Sequence, residues 1–155
     1  MKTKLQKELK QNTPFTSKGH EVVVGLLRTA DHLRRQISEI TKPYGITPQH
    51  YNVLRILRGA GEDGLPILEI SNRMIENSPG ITRFITFLES KKLITRKKSS
   101  EDKRRQICKI SGQGLKVLKE LDHSMENFNK EVTSSLSEEQ LGKLIDYLDE
   151  IRSEK

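Results

Sequence analysis

Residues 65–114 carry the most informative pattern in the chain, LPILEISNRMIENSPGITRFITFLESKKLITRKKSSEDKRRQICKISGQG. Its first residues, 65–67, form a short segment interrupted by proline, which predicts an edge strand. Residues 68–75 should then form a short helix with one apolar face, made by Leu68, Ile70, Met74 and Ile75. A second helix should begin near Ser78, which suits an N-cap, with Pro79 in its first turn.

The helix that follows Pro79 and the segment after it complete the module. Two helices joined by so tight a turn form a helix-turn-helix. Residues 93–98 and 105–110 are compatible with two strands joined by a polar tip, with Cys108 and Ile110 facing inward. This order of elements predicts a winged helix-turn-helix. The apolar residues of the second helix are expected in the core: Ile81, Phe84, Ile85 and Leu88.

The net charge of the chain is concentrated in the same segment. The 155 residues include 28 lysines and arginines and 21 aspartates and glutamates, a formal net charge of +7. Residues 81–110 hold ten basic and three acidic side chains, so the rest of the chain is balanced. Such a local excess is typical of a surface that binds a polyanion. Charge alone leaves open the alternative of a solvated charged face.

Amphipathic helices flank this segment on both sides. Apolar residues recur every three or four positions over 17–41, which predicts a long helix, and Pro48 starts another. Ser111 should begin a long helix, and the capping box at 137–140 should begin the last one. The fold class is therefore mainly α, with a small β-hairpin. Only 33% of the residues are hydrophobic, so either much of each helix faces water or a second copy of the chain completes the apolar surface. The apolar stripes of the last two helices favour the second copy.

The coincidence of a helix-turn-helix with positive charge predicts binding to double-stranded DNA. A helix fits the major groove with its N-terminal residues nearest the base edges. Arg83 is suited to contact O6 and N7 of guanine, with a solvated helix residue as the less favoured alternative. Gly80 would let a phosphate approach the helix N-terminus. The residues expected to bind DNA from this helix are Ser78, Pro79, Gly80, Thr82, Arg83 and Thr86.

The tip of the hairpin supplies a second set of candidate DNA contacts. Its cations would displace counterions from phosphates, and one arginine would enter a narrow minor groove. Asp102 needs a separate role, because DNA repels a carboxylate. We expect it to pair with Arg104 or another nearby arginine and so fix the loop geometry. The candidate wing residues are Lys97, Lys98, Asp102, Lys103, Arg104 and Arg105.

Other chemistries find little support in the sequence. It has no nucleophile elbow, phosphate-binding glycine loop or closely spaced carboxylate pair, which argues against an enzyme. The four histidines are scattered, so we expect no metal and no cofactor. Cys108 on a core-facing strand should have a raised pKa and low reactivity, in preference to a redox role. Without an apolar run of membrane-spanning length or a secretory signal, the expected location is the cytoplasm.

Three stretches of the sequence resemble the multiple-antibiotic-resistance regulator (MarR) family of bacterial transcription factors. They are GITPQHYNVLRIL (45–57), LPILEISNRMIENSPGITRFITFLESKKLITR (65–96) and EDKRRQICKISGQG (101–114), within a similarity that spans about residues 17–153. Residues 102–104 look like the Asp-x-Arg wing motif of the family. The positions that match its recognition helix and wing are Ser78, Pro79, Thr82, Arg83, Asp102 and Arg104, whereas Phe87 departs from the polar residue common there.

The resemblance implies an architecture and a mode of action. It implies an N-terminal arm at 1–16 and a MarR-type domain at 17–155, in which a winged lobe at about 45–111 lies between dimerisation helices at 17–42 and 112–153. The homodimer would bind a palindromic site and repress nearby genes. A small-molecule effector would bind between the lobe and the dimer base, near Tyr44, His50 and Tyr51, for which ordinary packing is the alternative.

A different class of function stays open at this point. A winged helix also serves as a module that binds protein or RNA without reading duplex DNA. Wing charges that point into the core, or DNA binding that is insensitive to salt, would favour that class. The sequence names no operator or effector, and it does not separate repression from activation.

Overall fold

The computed structural model describes residues 2–77, 79–100, 102 and 104–153. The chain divides into two compact units, residues 1–48 and 49–155. The first contains helices α1 (Lys4–Glu8) and α2 (Lys18–Thr41) and a 3-10 turn. Helix α3 (Pro48–Ala60) starts at the boundary, and the second unit continues with β1 (Leu65–Pro66), α4 (Ile67–Arg73), α5 (Ile81–Ser90), β2 (Ile94–Lys98), β3 (Gln106–Ile110), α6 (Gly112–Thr133) and α7 (Glu138–Arg152).

The first unit consists of a long helix and a short one. Helix α2 begins after Ser17, whose hydroxyl accepts the backbone N–H of His20. It ends in the 3-10 turn Lys42–Tyr44, closed by Gly45 at a φ of +67°. The long helix predicted over 17–41 is thus confirmed. In the N-terminal arm, Leu5 of α1 lies against α2 at Gly25, so the arm is docked within this unit.

The core of the second unit is formed by helices α3 to α6 and the sheet. The apolar residues that bury their side chains recur every three or four positions in the helices, so each helix turns one face inward. Cys108 contributes from the middle of the sheet, as expected for an inward-facing strand residue. The fully buried side chains include Val53, Leu54, Leu57, Ile70, Ile85, Leu88, Ile94, Leu118 and Leu121.

The connection between α4 and α5 differs from the prediction. Helix α5 begins at Ile81 with Gly80 at the N-cap and no side-chain cap, so the prediction that Pro79 lies in its first turn is wrong. The predicted cap, Ser78, lies outside the described residues. The backbone N–H of Ile75 donates to Oδ1 of Asn52, 2.9 Å away, and this bond to α3 holds the connection in place.

The apolar face predicted for residues 68–75 is only partly correct. Ile70 is fully buried, and Met74 is half-buried. Leu68 and Ile75 are 74% and 86% exposed, which contradicts their placement on the inner face. Ile75 is exposed because α4 ends at Arg73 and leaves it in the connection, whereas Leu68 lies within α4, two positions before the buried Ile70, and so points away from it.

The three strands form an antiparallel sheet in the order β1-β3-β2. β1 pairs Leu65 with Cys108 at one edge, as the proline at position 66 requires. β2 and β3 pair from Ile94 with Ile110 out to Lys98 with Gln106, which confirms the predicted hairpin. We refer to β2, β3 and residues 99–105 between them as the wing.

Helices α6 and α7 begin where the sequence predicted. The Ser111 hydroxyl accepts the Gly114 N–H and donates to the Lys92 carbonyl oxygen, which ties the start of α6 to the end of α5. Ser137 and Gln140 form the predicted capping box of α7. Several large apolar side chains of these helices are exposed in the single chain, namely Leu115, Val132, Leu144, Ile145, Tyr147 and Ile151.

Candidate nucleic-acid interface

The outer face of α5 presents the predicted recognition residues to solvent. Ile85 and Leu88 are fully buried on the inner face, which fixes the rotation of the helix. Thr82, Arg83 and Thr86 are consequently exposed on the opposite face. Together with Phe87 and Ser90 they line a shallow depression. Of the other predicted residues, Pro79 is exposed and Gly80 is buried at the N-cap, whereas Ser78 is not described.

Phe87 is held in place by an aromatic stack that the sequence did not predict. Its ring is parallel to the imidazole of His50, with the two centroids 4.2 Å apart. The same imidazole meets the ring of Phe84 edge-on at 5.3 Å. The first turn of α3 therefore supports α5 from below. Burial lowers the pKa of His50 from its ordinary value, which favours the neutral ring in this apolar setting.

Asp102 organises the tip of the wing through its own hydrogen bonds. Its Oδ1 accepts the backbone N–H of Arg104 at 3.0 Å, and its carbonyl oxygen accepts the N–H of Arg105 at 2.9 Å. Its Oδ2 lies 3.8 Å from Nε of Arg105. The expected pairing with an arginine is thus present, but the charged partner is Arg105, and Arg104 contributes its backbone N–H. This geometry leaves the Arg104 side chain exposed.

The remaining wing cations also point to solvent. Lys97 and Lys98 are exposed at the outer end of β2, and Arg105 is exposed at the tip. Lys97 and Lys98 are consecutive, so both faces of β2 are open to solvent at this end. The other predicted cation, Lys103, lies outside the described residues.

A salt bridge joins the recognition helix to the wing. Arg96 of β2 donates to Glu89 of α5 with a nitrogen to oxygen distance of 2.6 Å, and both side chains are partly buried. Sequence reasoning missed this pair because the two residues belong to different elements and have no helical or strand spacing. It fixes the direction of the wing relative to α5.

The residues proposed from the sequence for an effector pocket have varied surroundings. Tyr44 lies half-buried in the 3-10 turn of the first unit. In the second unit His50 is buried in the aromatic stack, while the hydroxyl of Tyr51 accepts a hydrogen bond from Arg55. The stack accounts for the burial of His50 by ordinary packing, and a role of the three residues in binding an effector stays a prediction.

Three other features bear on the function classes considered. Burial raises the pKa of Cys108 to about 11, which keeps its thiol protonated. Within the described ranges, no three histidine, cysteine, aspartate or glutamate side chains are grouped so as to hold a metal ion. None of the helices described is long and apolar enough to cross a membrane.

Comparison with known proteins agrees with this geometry. The model of the MarR family matches residues 46–105. The chain is 31% identical to the HTH-type transcriptional regulator MhqR of Bacillus subtilis over 72% of each chain. It is 28% identical to the HTH-type transcriptional regulator FarR of Neisseria gonorrhoeae over 89% of this chain and 93% of that protein.

Solved structures support the same fold. The crystal structure of NadR in complex with 4-hydroxyphenylacetate is 26% identical, with a TM-score of 0.72 over 92% of this chain and all of that one. The S. aureus MepR-DNA complex has a TM-score of 0.75 at 24% identity, over 81% of this chain and 93% of that one. The chain belongs to the MarR family of HTH-type transcriptional regulators, which are DNA-binding winged helix-turn-helix proteins and not enzymes.

Proposed function

We propose that this regulator is a homodimeric repressor that binds a palindromic operator in double-stranded DNA and is released by a small-molecule effector in the cytoplasm. The observation that carries the proposal is the pairing of an exposed α5 face with an exposed cationic wing, joined by the Arg96–Glu89 salt bridge. With this arrangement, α5 can enter the major groove while the wing contacts the flanking backbone or minor groove.

The recognition helix would supply sequence readout. Arg83 is exposed near the N-terminal end of α5, where a side chain reaches base edges, and its guanidinium fits O6 and N7 of guanine. Thr82 and Thr86 lie on the same face, one turn apart. Ser78, Pro79 and Gly80 precede the helix; because Gly80 is buried, a phosphate would approach the N-terminus of α5 beside the exposed Thr82.

The wing would supply affinity that depends little on sequence. Lys97, Lys98, Lys103, Arg104 and Arg105 would neutralise phosphates and release counterions. Asp102 would contribute indirectly, since its hydrogen bonds shape the tip from which Arg104 projects. In this proposal α5 contacts the bases, and the wing contacts the sugar-phosphate backbone.

Dimerisation is supported by apolar surface on each unit. In the first unit Val22, Val23 and Leu27 are between 50% and 68% exposed along α2. In the second unit the exposed residues of α7 include Ile145 and Ile151. Apolar residues repeated along one helix rarely remain in water, so a second copy of the chain is the partner that we propose.

The regulator is proposed to respond to a small aromatic effector. A relative of this chain is known in complex with 4-hydroxyphenylacetate. We propose Tyr44, His50 and Tyr51 as contacts for a ligand of similar aromatic chemistry. A ligand that touches His50 would act on the stack that supports α5. To act as an inducer it must favour the form that does not bind DNA, typically by about 1 to 3 kcal/mol.

Titration of the protein–operator complex with 4-hydroxyphenylacetate, followed by fluorescence anisotropy, tests this part of the proposal. Release of the DNA would support an aromatic effector. Unchanged anisotropy, together with no ligand binding by calorimetry, would contradict this ligand class and leave the DNA-binding proposal in place.

The readout proposal is tested by comparing two variants on the operator selected from genomic DNA by the purified protein. Arg83→Ala should weaken binding to the operator by about 1 to 3 kcal/mol and relax the base preference at one position. Lys97→Ala should weaken operator and random duplex equally and, because it removes one phosphate contact from each of the two wings, reduce the salt slope by about 1.8. Lys119→Ala, an exposed lysine of α6, serves as the control.

Equal effects of both variants on operator and random DNA would contradict direct readout by Arg83. If the wild-type chain bound duplex DNA without salt dependence and instead captured RNA or a protein, the alternative of a winged-helix interaction module would replace the proposal.

A further inference from the structure

We infer that the exposed face of α5 recognises the 5-methyl group of thymine, at a base pair next to the one contacted by Arg83. The contact would be made by the depression that Thr82, Thr86 and Phe87 line. This inference rests on the proposed function as a reader of duplex DNA, and it specifies a base that the protein selects.

The depression is suited to an apolar group. Its lining is mostly apolar, and its residues occupy the exposed side of α5, opposite the buried Ile85 and Leu88. Ser90 closes one end, but its hydroxyl donates to the carbonyl oxygen of Phe87 at 2.6 Å and is thereby occupied within the helix. The depression therefore offers van der Waals contact more than hydrogen bonding.

Phe87 forms a wall whose position is fixed. The ring stacks on His50 with an angle of 10° between the planes, and Nζ of Lys91 lies 5.7 Å from the ring centroid. A freely rotating phenylalanine would lose conformational entropy on binding. Because His50 of α3 already holds this ring, binding would cost less entropy. The departure from a polar residue at position 87 thus has a specific consequence for recognition.

The positive charges around the depression favour a nucleic acid as its binding partner. Arg83 is one of its lining residues, and Lys91 stands beside Phe87. Cations at an apolar depression fit a base edge flanked by phosphates better than an uncharged apolar ligand. In the major groove thymine presents a methyl group, and contact with threonine methyl or phenylalanine side chains is the usual way to recognise it.

Replacement of thymine by deoxyuridine in the selected operator tests the inference, because it removes only the methyl group. Each thymine of one half-site is replaced in turn, and the dissociation constant is measured by anisotropy. At the position next to the base whose preference Arg83→Ala relaxes, we expect about fourfold weaker binding per half-site, equivalent to about 0.8 kcal/mol. Other positions should change less than twofold.

A conservative variant assigns the effect to the depression. Thr86→Ser removes one methyl group and keeps the hydroxyl, so the ratio of affinities for thymine and uracil duplexes should fall towards one. Thr29→Ser, at an exposed threonine of α2, should keep the wild-type ratio. Circular dichroism melting checks that both variants are folded.

Two outcomes would overturn the inference without affecting the proposed function. One is tight, selective binding to the operator with no sensitivity to uracil at any position. The other is a wild-type thymine-to-uracil ratio in Thr86→Ser. Equal affinity of the wild-type chain for the selected and a scrambled duplex would instead overturn the proposed function itself.

Discussion

At the tip of the wing, Asp102 places a carboxylate on a surface that we assign to DNA. By charge alone, its removal should strengthen binding to a polyanion. The hydrogen bond that its side chain accepts from the backbone N–H of Arg104 and its ion pair with the Arg105 side chain indicate the opposite, because they set the shape of the turn. Replacing Asp102 therefore distinguishes an electrostatic role of this carboxylate from a role in shaping the wing.

Asp102→Ala should weaken operator binding about fivefold, which corresponds to about 1 kcal/mol for the lost hydrogen bond to a charged acceptor. Asp102→Asn retains an oxygen that accepts the Arg104 N–H, so it should bind at least as tightly as wild type. Anisotropy titrations measure both, with Glu131→Ala of α6 as a control for loss of an acidic side chain. Tighter binding by Asp102→Ala would show that the carboxylate acts only through its charge.

Because of His50, the stability of the chain should decrease as the pH is lowered. Burial holds the pKa of its imidazole below the ordinary value of 6.5, so the unfolded chain takes up this proton more readily than the folded chain. The contribution of the neutral His50 ring to the free energy of unfolding is therefore complete above about pH 6.5, and it decreases as the pH falls through the lowered pKa of the folded chain.

His50→Phe retains an aromatic ring against Phe87 and cannot be protonated. Between about pH 7.5 and 5.5 its melting temperature should fall less than that of the wild-type chain. His32→Gln, at an exposed histidine of α2, should follow the wild type. Equal pH slopes for wild type and His50→Phe would show that the stack does not disfavour the charged ring.

At the level of elements, the junction between the wing and α6 depends on the absence of a side chain at Gly114. A Cβ there would overlap the Leu93 carbonyl oxygen and lie 2.8 Å from Cγ1 of Ile110. The first obstacle is backbone, at the residue that precedes β2, and the second is on the last residue of β3, so they have little freedom to move. Gly112, two residues earlier in α6, has nothing within 4 Å of the corresponding position.

Gly114→Ala should reduce the free energy of unfolding by roughly 2 kcal/mol, as expected for overpacking. Gly112→Ala should change it by less than about 0.5 kcal/mol. Urea denaturation followed by circular dichroism compares the two. If both alanine variants were equally stable, the close approach of α6 to the end of the wing would be incorrect.

The elements that the sequence predicted well are those with local signals. Caps such as Ser111 and the box at Ser137, together with helical spacing of apolar residues, depend on neighbours within a few positions, so one sequence suffices to locate them. The hairpin at 94–110 was likewise predictable from two β-compatible segments and a polar tip.

The errors arose where contacts between elements decide the outcome. The start of α5 and the exposure of Ile75 depend on how the 74–80 connection crosses α3, through the bond from Ile75 to Asn52. The Arg96–Glu89 salt bridge and the His50–Phe87 stack similarly join elements that have no common period in the sequence. The sequence named candidate residues of the site, whose role in binding DNA stays a prediction, but it did not give the contacts that support them.

For the whole molecule, the proposal requires two copies of the chain. Within the second unit, Ile145 is 59% exposed on α7 in the single chain. A lysine at a buried position in a dimer interface lacks a partner and disrupts the contact, whereas an additional lysine at an exposed position does little.

Ile145→Lys should raise the dissociation constant of the dimer at least about thirtyfold, equivalent to about 2 kcal/mol. Operator affinity should fall in parallel, because one half-site is then lost. Asp146→Lys places the same side chain at the adjacent position of α7 and is the matched control. Sedimentation velocity at several concentrations measures the association, and a dimer unaffected by Ile145→Lys would exclude this part of α7 from the interface.

The salt dependence of binding to a selected and a scrambled duplex tests the central proposal most directly. We predict two chains per selected duplex, an affinity at least about a thousandfold above that for the scrambled duplex, and a linear fall of the logarithm of the binding constant with the logarithm of salt concentration. Equal affinity for both duplexes, or binding that does not change with salt, would contradict it.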